Sequence, residues 1–106
     1  MSILDFLRRP KIDDEVKLFR ETEGAVLLDV RTRKEYDRGR IPGSKNIPLQ
    51  EIQSTEDVIP DKNTPLFVYC LSGGRSSQAV SELMRMGYQN VKNIGGISDY
   101  KGTLEL

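Results

Sequence analysis

The sequence predicts an α/β fold in which a mainly parallel central sheet of four or five short strands is flanked by helices. Three observations predict it. Ala25–Val30 and Leu66–Tyr69 are short apolar runs, the latter without charge, suited to strands covered on both faces. Around them, apolar residues recur at helical spacing. Clusters of turn formers, GRIPGSKNIP at 39–48 and Asp61–Pro65, punctuate the chain, so that strands alternate with helices, as a parallel sheet requires. In such sheets a ligand lies beyond the C-terminal ends of the strands.

Taken in order, Met1–Leu7 is too short for a signal-peptide core and lacks a basic start, so export is not expected and a cytoplasmic location is. Arg8, Arg9 and Lys11 surround Pro10 as a solvated joint, which makes 1–12 an N-terminal extension and 13–106 the domain. Asp13 and Asp14 stand where an N-cap belongs, Val16, Leu18 and Phe19 supply a buried stripe, and Gly24 ends that helix. Ala25–Val30 is the first strand. Thr32 caps a short helix over Arg33–Arg38, Ser44–Ile47 is a short extended piece, and Leu49 to about Ser54 forms a helical turn. After the central strand, Ala79, Val80, Leu83 and Met84 mark one helix face, with Gly87 as its C-terminal cap. Val91–Ile94 is the last strand, and Gly95–Gly96 opens a terminal helical turn through Tyr100.

Composition removes several function classes. A chain of 106 residues is long enough for one core but not two. Sixteen basic and sixteen acidic residues cancel, so charge points to neither nucleic acid nor a membrane surface, and no segment is apolar for long enough to span a bilayer. One cysteine excludes an intrachain disulfide and fits a reducing compartment. The absence of histidine removes Cys-His and Ser-His nucleophile pairs and histidine-containing zinc sites; neither a metal nor a cofactor is expected. Whatever the cysteine does, electrostatics must activate it.

That cysteine occupies the most informative stretch, LFVYCLSGGRS at 66–76. The strand stops at Cys70 and a helix starts near Arg75, leaving Leu71, Ser72, Gly73 and Gly74 as a tight loop. Glycine permits positive φ and close backbone approach, so successive N–H groups can converge on one point, where the helix N-terminus adds partial positive charge and Arg75 a full one. A thiol there should ionise easily. A lone cysteine ending an apolar strand is by default a small buried hydrophobe. Two glycines, an arginine and a helix start in the next six positions favour a nucleophile instead.

The pattern C-x-x-G-x-R-S from Cys70 to Ser76 resembles the active-site loop of the rhodanese (sulfurtransferase) family. LLDVRTRKEYDRGRIPGSKNIP, Leu27–Pro48, is similar to the family's first signature, and NIGGISDY, Asn93–Tyr100, to its closing segment. The three segments come in the family's order and cover most of the chain; Arg40, Ser44 and Tyr100 replace a frequent histidine, alanine and tryptophan. The length resembles the family's single-domain members.

The resemblance implies a cofactor-free sulfurtransferase. Cys70 would take sulfur from a donor anion such as thiosulfate, or from a small persulfide, and hold it as a persulfide until a thiol or cyanide acceptor removes it. Backbone N–H groups of Leu71–Arg75 would hold the anion. Ser72 and Ser76 hydroxyls are extra donors, with Ser76 as a helix cap the alternative. Arg75 either contacts substrate or braces the loop. Asp29, Arg31 and Glu35 read first as a structural arginine–carboxylate set, with Arg31 kept as a candidate substrate contact. Tyr69 alternates away from Cys70 and belongs to the core. Two other readings stay open: a phosphatase or arsenate reductase using the same thiolate cradle, and a sulfur-carrier or binding module working with a relay protein.

Overall fold

The computed structural model describes residues 11–106. The expected joint at Arg8–Pro10 therefore lies outside the described residues. Four strands, β1 (Val26–Asp29), β2 (Ser44–Asn46), β3 (Leu66–Cys70) and β4 (Val91–Gly96), form one sheet in the order β2-β1-β3-β4, every pair parallel. Among the described residues the helices are α1 (Ile12–Glu21), α2 (Arg33–Asp37), α3 (Thr55–Val58) and α4 (Gly74–Arg85), with 3-10 turns at Leu49–Ser54 and Ile97–Asp99.

Period-two alternation splits the core into two layers. Leu28, Leu66, Val68 and Cys70 point to one face, where Ala79 and Leu83 of α4 cover them. Leu27, Phe67 and Tyr69 point to the other, under Ile12 and Val16 of α1. β3 is buried along its whole length, as its chargeless sequence requires. At about 25 cal/mol per Å² of apolar surface, layers of this kind supply most of the drive to fold.

Local chemistry sets the ends of the elements, with some departures from expectation. Helix α1 starts one residue before the two aspartates: its N-cap is Lys11, whose side chain makes no cap bond. Ile12, 4% exposed, is drawn into the core and takes the start of the helix with it. Asp13 and Asp14 then lie in the first turn, where negative charge favours the helix dipole, and the Asp13 carboxylate accepts from the Lys101 N–H at 2.9 Å. The buried stripe is Ile12 and Val16, joined by the half-buried Phe19, whose ring meets Phe67 edge-on at 5.9 Å. Leu18, 43% exposed, falls off it. On α4, Ala79 and Leu83 are buried and Val80 packs beside them, but Met84 is 60% exposed. Gly87, at φ 102°, follows the end of α4 as expected.

Helix α2 has the expected cap in full. Thr32 Oγ1 accepts from the Glu35 N–H at 3.2 Å, and Glu35 Oε1 accepts from the Thr32 N–H at 3.1 Å. Strand β4 runs two residues further than expected. It takes in Gly95 and Gly96 through a bulge, where Val68 faces Asn93 and Tyr69 faces Gly95. The C-terminal residues return to bridge Arg40 and Glu105, and the Arg40 guanidinium lies 4.9 Å over the Tyr36 ring.

Candidate active site

Cys70 is the last residue of β3 and only 1% exposed. The chain leaves it through Leu71 and Ser72, both exposed, and turns at Gly73, whose φ of 108° a side chain would resist. That turn aims the Gly73 N–H at the sulfur, 3.0 Å away. Gly73 is also the N-cap of α4, so the thiol faces a helix start. The Ser76 hydroxyl lies 3.4 Å from Sγ. Burial pushes the Cys70 thiol up, but the Ser76 hydroxyl, with backbone N–H groups of Ser76, Gly73 and Ser72, outweighs it and holds the thiol below its ordinary value. Ser76 is the third residue of α4, so it acts as a donor beside the sulfur and not as the N-cap.

The arginines have other duties. Arg75 makes a two-pronged ion pair with Glu35, Nη1 to Oε1 at 2.7 Å and Nη2 to Oε2 at 3.0 Å, tying the start of α4 to α2. Arg75 holds Glu35 down at about 2, so that carboxylate stays ionised. Arg31 is held by partners of its own. Its guanidinium is bound to Asp29, at 2.7 Å for Nη2, and to the Gly39 carbonyl at 2.8 Å, all of it buried. A buried carboxylate at the end of β1 needs such a partner, and supplying it occupies the Arg31 guanidinium. Tyr69 lies on the opposite face from Cys70, its hydroxyl donating to Ser44 Oγ at 3.1 Å and accepting from the Ile41 N–H at 3.2 Å.

Three residues of β4, read in the sequence as part of the closing segment but not as site residues, stand beside the loop. Asn93 Nδ2 donates to the Gly73 carbonyl at 3.2 Å, and Asn93 Oδ1 lies 2.7 Å from Ser76 Oγ and accepts from the Gly95 N–H at 2.9 Å. Gly96 touches the loop itself: a Cβ there would collide with the Leu71 carbonyl oxygen and Ser72 Cα. Gly95 Cα lies 3.8 Å from where a Cβ on Gly73 would stand. The Gly95-Gly96 pair was the available signal, since adjacent glycines mark a close backbone approach as readily as a turn. Among the described residues, no three metal-ligating side chains gather. The groove formed by Pro65, Phe67, Asn90 and Lys92 opens at the opposite end of β3, away from Cys70.

A parallel α/β sheet carrying a thiol and a ring of N–H donors at its C-terminal end defines a class of cysteine-dependent group-transfer proteins. Within that class the family model for the rhodanese-like domain matches residues 13–103, and the chain belongs to that family. Thiosulfate sulfurtransferase PspE of Escherichia coli (strain K12) is 41% identical over 73 residues, 68% of this chain and 70% of that protein. A putative sulfur carrier protein, YrkF of Bacillus subtilis (strain 168), is 33% identical over 84 residues, 78% of this chain but 45% of its own length. A solved structure of a rhodanese with anions from E. coli superposes with a TM-score of 0.71 at 36% identity, covering 76% of this chain and 96% of that one.

Proposed function

We propose that this rhodanese-type sulfurtransferase carries sulfur on Cys70, taking it from a small sulfane donor such as thiosulfate or a low-molecular-weight persulfide. The observation that carries the reading is the sulfur of the only cysteine held at a strand end, with the Gly73 N–H at 3.0 Å and the Ser76 hydroxyl at 3.4 Å. In the first step the Cys70 thiolate attacks the outer sulfur of the donor. A new S–S bond forms, the donor's S–S bond breaks, and its electron pair leaves with sulfite or thiolate. In the second step an acceptor thiolate, or cyanide, attacks the outer sulfur of the persulfide and regenerates the Cys70 thiolate. Neither leaving group needs a proton, so a site without histidine is sufficient. The chain's part is to keep the thiol ionised and to face the anion with N–H groups of Leu71–Arg75. Such chemistry suits a reducing compartment, and we place it in the cytoplasm.

Cys70→Ser should fold normally, gain no sulfur by mass spectrometry, and form no thiocyanate from thiosulfate and cyanide. Near-normal turnover by that variant would end the reading.

A second reading is favoured by the likeness to a putative sulfur carrier: the acceptor is a thiol on a partner protein in a sulfur relay. Leu71, 46% exposed beside the buried sulfur, gives such a partner an apolar contact. If the Cys70 persulfide forms from thiosulfate but is discharged by small thiols far more slowly than by a protein thiol, the relay reading takes precedence.

A further inference from the structure

We propose that Asn93 is a positioning residue for the Cys70 sulfur, acting through the Ser76 hydroxyl and the Gly73 peptide. This deepens the assignment of Cys70 as sulfur carrier and rests on it for its kinetic consequence alone. The Ser76 hydroxyl has one proton and three acceptors within reach: Asn93 Oδ1 at 2.7 Å, the Gly73 carbonyl at 3.1 Å and Cys70 Sγ at 3.4 Å. While the sulfur is a neutral thiol, the shortest bond takes the proton to Asn93, and the Ser76 oxygen is left to accept from S–H. Once the thiol ionises, sulfur loses its donor and becomes the strongest acceptor of the three, so the O–H turns to it. Asn93 Oδ1 keeps the Gly95 N–H at 2.9 Å, and no polar atom is stranded by the turn. When a persulfide forms, Sγ is no longer anionic and the proton returns to Asn93. One hydroxyl rotation therefore accompanies each gain and loss of charge on the sulfur.

Asn93 also holds the other donor. Its Nδ2 bonds the Gly73 carbonyl at 3.2 Å, on the residue whose N–H faces Sγ at 3.0 Å. The β4 bulge makes this reach possible by setting Asn93 opposite Val68 and Gly95 opposite Tyr69. The partners of the Asn93 side chain are Ser76, Gly73 and Gly95 and not Sγ, so its effect passes through other groups. The charged groups around the loop, Arg75 with Glu35 and Arg31 with Asp29, are each paired and are left alone by changes at position 93.

The test is a thiolate titration, read as ultraviolet absorbance with Cys70→Ser as the baseline and repeated as iodoacetamide alkylation against pH. In a Ser76→Ala background, where only the Gly73 route remains, Asn93→Ala should move the midpoint upward and slow alkylation at neutral pH by about three- to tenfold, the worth of one ordinary hydrogen bond. With Ser76 present the same change should raise the midpoint less, because the Ser76–Asn93 bond it removes exists only while the sulfur is neutral and its loss favours ionisation. Asn93→Asp keeps the acceptor but loses the donor to Gly73; its midpoint should also rise, and rise less without Ser76. In turnover, kcat should fall while KM for thiosulfate holds. An Asn93→Ala shift that is equal with and without Ser76, or a folded Asn93→Ala/Ser76→Ala double variant with the midpoint of Ser76→Ala, overturns the proposal. Failure of the Cys70 assignment would show separately, as sulfur transfer persisting in Cys70→Ser.

Discussion

Arg75 brings a full positive charge to the start of α4 and spends it on Glu35. The carboxylate is shared: Oε1 accepts from Arg75 at 2.7 Å and from the Thr32 N–H and hydroxyl, each at 3.1 Å, so one residue closes the cap of α2 and ties α2 to the loop. Both partners are about a third exposed, which limits the pair to about 0.5–1 kcal/mol. Two predictions follow at this scale. Arg75→Ala should move the Cys70 titration upward less than Ser76→Ala does, since the hydroxyl and the N–H groups, not the guanidinium, govern the thiol. A larger shift in Arg75→Ala, measured in the same titration, would return Arg75 to the anion site. The second concerns acid. Glu35 falls from 4.5 to about 2 on folding, led by its bond to Arg75, so its contribution is complete above about 4.5 and is lost as pH drops toward 2. Urea unfolding of wild type and Glu35→Gln should differ by a constant amount at neutral pH and converge in that window. A difference that persists to the lowest pH would mean that the glutamine disturbs packing rather than charge.

At the scale of elements, the active-site loop rests on the end of β4. Gly96 lies so close under Leu71 and Ser72 that a single methyl group would meet backbone atoms of both, and the Ser98 N–H donates to the Leu71 carbonyl at 3.1 Å from the following turn. Gly96→Ala should cost about 1–3 kcal/mol of overpacking and move the Gly73 N–H off the sulfur, so activity falls in a protein that still folds. Gly74→Ala is its stability control: a Cβ there has open space and sits in helical backbone, and its melting temperature should stay level or rise slightly. Equal melting temperatures for the two variants would show that β4 does not support the loop. The same element marks where reading the sequence runs out. Cys70, the two loop glycines and the start of α4 are neighbours along the chain, so their geometry follows from turn and helix chemistry, as does the Thr32–Glu35 cap. Asn93 reaches the loop across the sheet and through a bulge and leaves no local pattern, and Gly96 leaves only its place in a glycine pair, which marks a turn as readily as a close approach. Leu18 and Met84 each lie one position from a buried neighbour, where helical periodicity alone does not separate the two faces. Ile12 is buried by a tertiary contact that outweighs the capping preference of Asp13 and Asp14.

For the whole molecule the decisive contrast is sulfur transfer against phosphoryl transfer, because both chemistries use a thiolate under a ring of N–H donors. Four residues, Leu71, Ser72, Gly73 and Gly74, separate Cys70 from Arg75. On the function proposed above, the loop has to accommodate one added sulfur, whereas a phosphoryl centre with its oxygens needs more room while the thiolate attacks in line. Two features of the fold point the same way. A phosphoryl group needs a cation on its oxygens, and the loop's arginine is paired with Glu35 at 2.7 Å. An ester leaving group needs an acid, and Glu35, held at about 2, stays ionised at neutral pH and cannot supply one. The protein should therefore gain one sulfur from thiosulfate, release it to cyanide as thiocyanate, and leave p-nitrophenyl phosphate untouched. Cys70-dependent hydrolysis of that ester at an enzymatic rate, together with failure to acquire sulfur, would put the phosphatase reading in its place and show that loop length does not choose between the two reactions.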